Sequence, residues 1–261
     1  MKINTNSNVY IIIYSVVMVV IVAVLLAVAS QSLSGTQKEN ELNEKKSQIV
    51  KALMGEAPEG ETYNYDDVVA EAVILNANGE VVSTDVNEVF KSLNKLKETF
   101  GNGQYPIFVA KNNCVVIPMY GAGLWGPIWG YIALKEDMNT VNGIVLAHQG
   151  ETPGLGAEIA TEAHQSMYKA NKTIYENDEL VGITLKKGGA TKDAEGNVSA
   201  HEVDAITGGT KTSEGVTNMI KECLNYYKPY FDAKRQLMAE ASTEVAVEGE
   251  SNQINTDNNG K

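Results

Sequence analysis

Residues His201–Ser213 read HEVDAITGGTKTS. Val203 and Ile206 flank an acidic residue, the pattern of a strand end. Gly208-Gly209 is a turn signal, because glycine allows φ > 0 and a close backbone approach. Thr210, Thr212 and Ser213 then place three hydroxyls at the head of the run Val216, Met219, Ile220, Cys223, Leu224 and Tyr227. That run has helical period. The stretch predicts strand, glycine turn and helix start, and two chemistries fit it. The hydroxyls can cap the helix. Alternatively, the free amides and dipole of the helix start can hold an anion, above all a phosphate.

Upstream, the pattern is mostly β. Val68–Val82 alternates around Asn76-Ala77-Asn78-Gly79, a hairpin signal. Val86–Phe100 has helical spacing through Val89, Leu93, Leu96 and Phe100. Four strands are expected at Ile107–Ala110, Cys114–Met119, Trp129–Lys135 and Val141–His148, joined by short turns as an antiparallel meander. Between the second and third lies YGAGLWGPIWG, Tyr120–Gly130, whose glycines and Pro127 predict irregular structure. Its Trp125 and Trp129 fit either buried packing or the wall of a planar ligand's pocket. HQGETPGLGAEI, His148–Ile159, is a second glycine-rich loop. Thr161–Ala170 predicts a short polar helix carrying a solvated His164, and Val181–Lys187 a strand. The glycine-containing loop Gly188–Asn197 leads back to the opening stretch. Lys228-Pro229 should end the last helix.

The N-terminal part is different. Val9–Ala29 carries no charge over 21 residues, and about 20 apolar residues cross a bilayer as a helix. A cleaved signal peptide has a shorter apolar core behind a basic start, whereas only Lys2 precedes this run, so an uncleaved anchor is expected. Lys38, Lys45 and Lys46 follow the span, and by lysine count alone the larger part would lie in the cytoplasm. Gly35–Gly55 continues with Leu42, Ile49, Val50 and Leu53 at helical spacing, ending at Pro58-Glu59-Gly60.

The expected class is α+β: a single N-terminal transmembrane helix followed by one soluble domain with an antiparallel sheet and flanking helices. The boundaries are 1–35 for the N-terminal tail and anchor, 36–60 for a stalk helix, 61–236 for the domain and 237–261 for a disordered acidic tail. A net charge of −12 and a pI near 4.8 argue against nucleic acid as a partner. Cys114 and Cys223 fit two buried free thiols better than a disulfide, and neither has metal-ligand spacing. No nucleophile elbow, phosphate-binding P-loop or zinc-protease motif occurs, so no catalytic residue and no metal ligand is assigned.

Asp204-Ala-Ile-Thr-Gly-Gly-Thr210 resembles the flavinylation motif Asp-x-x-Ser/Thr-Gly-Ala-Thr of FMN-binding domains. With Glu151–Gly156 (ETPGLG), Tyr120–Trp125 (YGAGLW) and the N-terminal anchor, the chain from Val9 to about Phe231 resembles the C-subunit family of Na+-translocating NADH:quinone oxidoreductases. The related G subunit of Rnf complexes shares the motif and the anchor. The resemblance implies an FMN-binding domain with FMN joined covalently, through its phosphate, to Thr210 by a flavin transferase that uses FAD and Mg2+. It assigns Asp204, Thr207, Gly208, Gly209, Thr212 and Ser213 to the attachment motif, although Gly209 stands where the family usually has alanine. Glu151, Thr152, Gly154, Leu155 and Gly156, with Leu124 and Trp125, become the expected flavin contacts.

The same resemblance implies the function. The chain would be an electron-carrying subunit in a complex that passes electrons from NADH to ubiquinone or menaquinone and exports Na+. Its partners would be the other membrane subunits, the transferase and membrane lipid. Its soluble domain would lie on the periplasmic side of the cell inner membrane, against the lysine count, which rests on few residues and which long domains escape. An Rnf-type role is one alternative, and an anchored binding module whose threonines only cap a helix is another. No dinucleotide fingerprint follows a strand, so no NADH site is expected on this chain.

Overall fold

The computed structural model describes residues 7–58, 60–169 and 171–257, with side chains up to position 241. It forms two compact units, Met1–Lys46 and Ser47–Lys261. The first holds most of α1 (Asn8–Met54), which is long and apolar enough to cross a membrane. Lys2 lies outside the described residues.

The second unit begins with the last turns of α1, where Ile49, Val50, Ala52 and Leu53 are buried. The carbonyl of Leu53 accepts a hydrogen bond from Asn142 Nδ2 at 2.5 Å. After α2 (Tyr65–Val68) come β1 (Val69–Leu75) and β2 (Val81–Ser83), the expected hairpin. Asn76 Oδ1 closes its turn by accepting the amides of Asn78 and Glu80. The helical run that follows is two helices, not one: α3 (Val86–Leu93) and α4 (Leu96–Gly101). The break is held by the Thr99 hydroxyl, which donates across it to the Ser92 carbonyl.

β3 (Tyr105–Ala110), β4 (Val115–Ala122), β5 (Pro127–Leu134) and β6 (Val141–His148) complete a six-stranded antiparallel sheet of order β2-β1-β3-β4-β5-β6. Tyr120–Gly130 departs from the sequence expectation. β4 and β5 stay paired out to Gly121–Ile128 and Ala122–Pro127, and only Gly123–Gly126 turns, closed by a bond from Gly123 N to Gly126 O. Pro127 is tolerated because it is the first residue of its strand.

Successive side chains of a strand face opposite sides of a sheet, and β3 shows what covers each. Phe108 meets Phe90 of α3. Tyr105, of opposite parity, meets Tyr226 and Tyr227. Those tyrosines belong to α6 (Thr210–Asp257), which supplies Val216, Met219, Ile220, Cys223, Leu224, Tyr227 and Phe231 to the core. The sheet is therefore a middle layer between α3 and α6. Pro229 lies inside α6 rather than ending it. An internal proline costs a helix about 3 kcal/mol, but packing on both sides offsets that cost. Tyr227 donates to Pro106 O at 2.7 Å, Phe231 is wholly buried, and Asp232 accepts from Tyr175. The backbone stays helical to Asp257, beyond the Leu237 boundary expected of the tail, while side chains past 241 and residues 258–261 lie outside those described.

Between β6 and α6 the chain forms a 3-10 turn (Gly156–Ala160), α5 (Glu162–Ser166) and a second 3-10 turn (Met167–Lys169), followed by the small hairpin β7 (Tyr175–Glu176) and β8 (Glu179–Leu180). β9 (Thr184–Lys186) and β10 (Glu202–Asp204) pair in parallel, an arrangement the sequence pattern did not indicate. His164 is not solvated. It is 2 % exposed, its Nε2 lies 3.3 Å from Tyr168 Oη, and its Nδ1 has no partner among the described residues.

Burial pushes the His164 imidazole down from its ordinary value of 6.5 to about 4, against a small upward pull from Asp204. Between those two values the unfolded chain binds a proton that the folded chain refuses, so stability rises with pH across that window. Lowering the pH from 7 to 4 should cost about 3 kcal/mol through this residue alone. His164→Gln should flatten that part of a pH series of urea midpoints.

Candidate functional site

β10 delivers the chain into Ala205-Ile206, and the turn Thr207-Gly208 reverses it into α6. Gly208 has φ +75, a conformation that strains any residue with a Cβ, and a Cβ there would also stand 2.5 Å from Leu155 Cδ2. Gly209 N donates to Ile206 O, and Ser213 N to Gly209 O. Ser213 Oγ returns to accept the amide of Ile206 at 3.0 Å. Ser213 is therefore a cap that ties the first turn of the helix to the end of the strand.

The three hydroxyls have separate fates. Thr212 is 1 % exposed and donates to Glu151 Oε2 at 2.5 Å. Ser213 is 2 % exposed and takes the Ile206 amide. Thr210, the first residue of α6, is half-buried, and its hydroxyl makes no hydrogen bond among the described residues. The amides of Thr210, Lys211 and Thr212 likewise donate to no acceptor there, as expected at a helix start.

The two glycine-rich loops of the sequence meet this turn. The β4–β5 tip carries Leu124 and Trp125, 54 % and 69 % exposed, so Trp125 is not core packing. The amide of Trp125 donates to Glu151 Oε1 at 2.9 Å. After β6, the Glu151 amide donates to His148 Nδ1 at 3.2 Å. Thr152 and Leu155 are exposed, the Gly154 amide is taken by Glu158 Oε1, and Gly156 is buried against the first turn of α6. A Cβ at Gly209 would meet Ile206 Cγ2 at 2.9 Å and Gly156 Cα at 3.3 Å, which ties the motif directly to the second loop.

Glu151 is buried beneath these segments. Burial raises its carboxyl, but the Thr212 hydroxyl, the Trp125 and Leu124 amides and His148 together hold it below the usual carboxylate range. Asp204 and Thr207 stand at the rim. Asp204 Oδ1 accepts the amide of Ala190 at 2.7 Å and so fastens the Gly188–Ala190 turn beside the motif. Sequence reasoning missed this second task of Asp204, and also Lys172, a buried amine that donates to Ser199 O at 2.6 Å beneath the same strand pair. No group of side chains able to hold a metal ion occurs among the described residues.

The surface so formed offers a free hydroxyl, unpaired helix amides, a φ-positive glycine and exposed apolar side chains from two loops. That set suits a phosphate-bearing planar ligand. Residues 123–225, which contain all three loops, match the FMN-binding domain family. The solved C subunit of the Na+-translocating NADH-quinone reductase of Parabacteroides distasonis is 35% identical, with a TM-score of 0.63 over 76% of this chain and 96% of that one. NqrC of Shewanella oneidensis is 25% identical, with a TM-score of 0.60 over 76% of this chain and 99% of that one. The chain belongs to the C-subunit family of Na+-translocating NADH-quinone reductases. Among relatives, the C subunit from Pasteurella multocida is 38% identical over 152 residues, 58% of this chain and 52% of the relative. The C subunit from Haemophilus ducreyi is 45% identical over 118 residues, 44% of this chain and 43% of the relative. The matched segments thus span about half the length of these relatives. Family membership and the apolar helix α1 together make the chain a membrane-anchored protein.

Proposed function

We propose that this chain carries one FMN, joined through its phosphate to Thr210, and serves as an electron-relay subunit of a Na+-translocating NADH:quinone oxidoreductase. The observation that carries the attachment point is the partition of the three helix-start hydroxyls: Thr212 and Ser213 are spent on internal bonds, and Thr210 is not, while the exposed Thr207 lies in the turn ahead of the helix amides. In the attachment reaction the Thr210 oxygen bonds to the FMN phosphorus of FAD, AMP leaves, and the hydroxyl proton passes to solvent. A separate flavin transferase with Mg2+ performs it. Once bound, FMN supplies reversible electron transfer, while the protein binds, orients and tunes it.

The residues divide that work. The unpaired amides of Thr210, Lys211 and Thr212 face the remaining phosphodiester charge at the positive end of α6. Leu155, held over Gly208, would supply an apolar contact to the ring, as would the exposed Leu124 and Trp125 of the β4–β5 tip. The exposed Thr152 hydroxyl would be available to a polar edge of the flavin. Gly208 is needed for the turn, and Gly209 keeps Ile206 and Gly156 close behind it. The membrane subunits of the complex exchange electrons with this site, which stands on the periplasmic side of the inner membrane with α1 as its lipid anchor. The relatives' shared identity as C subunits favours this complex over an Rnf-type one.

The test is peptide mapping of the full chain made with the transferase. A fluorescent peptide covering Ile206–Lys211, heavier by one FMN phosphoryl group, is expected after denaturing electrophoresis. The same mass on Thr212, with Thr210 bare, would sink the assignment.

A further inference from the structure

The Glu151 carboxylate joins three separate segments of the site. It is 4 % exposed. Oε1 accepts the Trp125 amide at 2.9 Å, Oε2 accepts the Thr212 hydroxyl at 2.5 Å, and the Leu124 amide also donates to the carboxylate. The space around it is specified by absent side chains. A Cβ at Gly123 would collide with Oε1, and a Cβ at Gly156 would collide with both Oε2 and Thr212 Oγ1. A glycine from each loop therefore makes room for one carboxylate, whose oxygens are committed to the start of α6 and to the hairpin tip. An ionised carboxylate only accepts hydrogen bonds, and every group bonded to these oxygens is a donor.

From this geometry, and resting on the function proposed above, we infer that Glu151 is a positioning residue for FMN attachment. Its carboxylate latches the Leu124-Trp125 tip and the ETPGLG loop to the first turn of α6, and so fixes where the Thr210 hydroxyl stands. The Thr212 hydroxyl is the other half of the latch rather than a flavin ligand. Neither side chain needs to touch the cofactor.

The latch can be separated from bulk stability. Glu151→Gln keeps the size of the side chain but turns an N–H2 toward surrounding donors. Thr212→Val keeps the shape and loses the donor, whereas Thr212→Ser keeps the donor. Hydrogen exchange read by mass spectrometry on the unmodified full chain in detergent gives the first measurement. Peptides covering Gly123–Gly126 and the first turn of α6 should exchange about tenfold faster in E151Q and T212V, with β3 and β5 unchanged and T212S like the parent. The rate of FMN attachment from FAD, transferase and Mg2+ should fall in the same order and recover in T212S.

The inference is overturned if E151Q retains parental exchange and attachment. It is equally overturned if exchange rises evenly over the sheet, since Glu151 would then be ordinary structure. A parent chain that never takes FMN would remove the functional reading and the positioning role with it, while the exchange pattern would still decide whether the latch exists.

Discussion

Thr210→Ala leaves a folded chain with no covalently bound flavin. The expected change is complete loss of in-gel flavin fluorescence after denaturation, and an intact mass equal to the unmodified polypeptide. Stability should hardly move, because the Thr210 hydroxyl has no partner among the described residues and alanine is a better helix former at that position. Thr210→Ser should retain the flavin, since it keeps an oxygen at the same place. The two neighbouring hydroxyls inside α6, Thr212 and Ser213, cannot take over. Thr212 is bonded to Glu151 and Ser213 to the strand end, so either would have to leave a buried hydrogen bond to reach the surface, at a cost of about 1–3 kcal/mol. Residual fluorescence of parental strength in T210A would place the acceptor elsewhere.

The second large effect concerns where the domain begins. A truncated protein starting at Gln37 removes the apolar span and keeps Ser47–Met54, which belongs to the second unit. It should be water-soluble, melt cooperatively and accept FMN from the transferase. A protein starting at Gly55 should fail. It lacks Ile49, Val50, Ala52 and Leu53, all buried, and the carbonyl that Asn142 satisfies. Burial of a large apolar side chain is worth about 1.5–3 kcal/mol, so the loss is roughly 5 kcal/mol. That is comparable to the whole stability of a typical domain, about 5–15 kcal/mol. Circular dichroism and urea midpoints of the two proteins decide it. Equal midpoints would make the end of α1 a passive stalk.

Much of this organisation is legible in the sequence because it is written in period and punctuation. Alternation around Asn76–Gly79 and the apolar run from Val216 to Tyr227 are local patterns, and each forms the expected element. The departures have a common cause. Local preference counts Pro229 and the glycines of Tyr120–Gly130 as breakers. The structure overrides them with contacts from far along the chain or across the sheet: Tyr227 on Pro106, and Ile128 and Pro127 opposite Gly121 and Ala122. The sequence neighbours of His164 are polar, which predicts solvation, yet the fold buries it against Tyr168. At the site, the motif and both loops can be named from sequence. What the residues do not disclose is that the loops meet, that Glu151 is the meeting point, and that two of three neighbouring hydroxyls are occupied. Those facts depend on partners 26 and 61 residues away.

The position of α6 also governs when the molecule becomes usable. During synthesis the meander emerges long before the helix that closes over it, and the pairing of Tyr227 with Pro106 spans 121 residues. A nascent or clipped chain lacking α6 has both loops and no Thr210. A free peptide of the motif has Thr210 and neither loop. The surface a modifying enzyme could recognise exists only in a chain that has been made through the core-packing turns of α6 and has docked that helix on the meander. FMN joined to Thr210, as proposed, would then act as a mark of a docked α6, placed on folded copies and withheld from fragments that lack the helix.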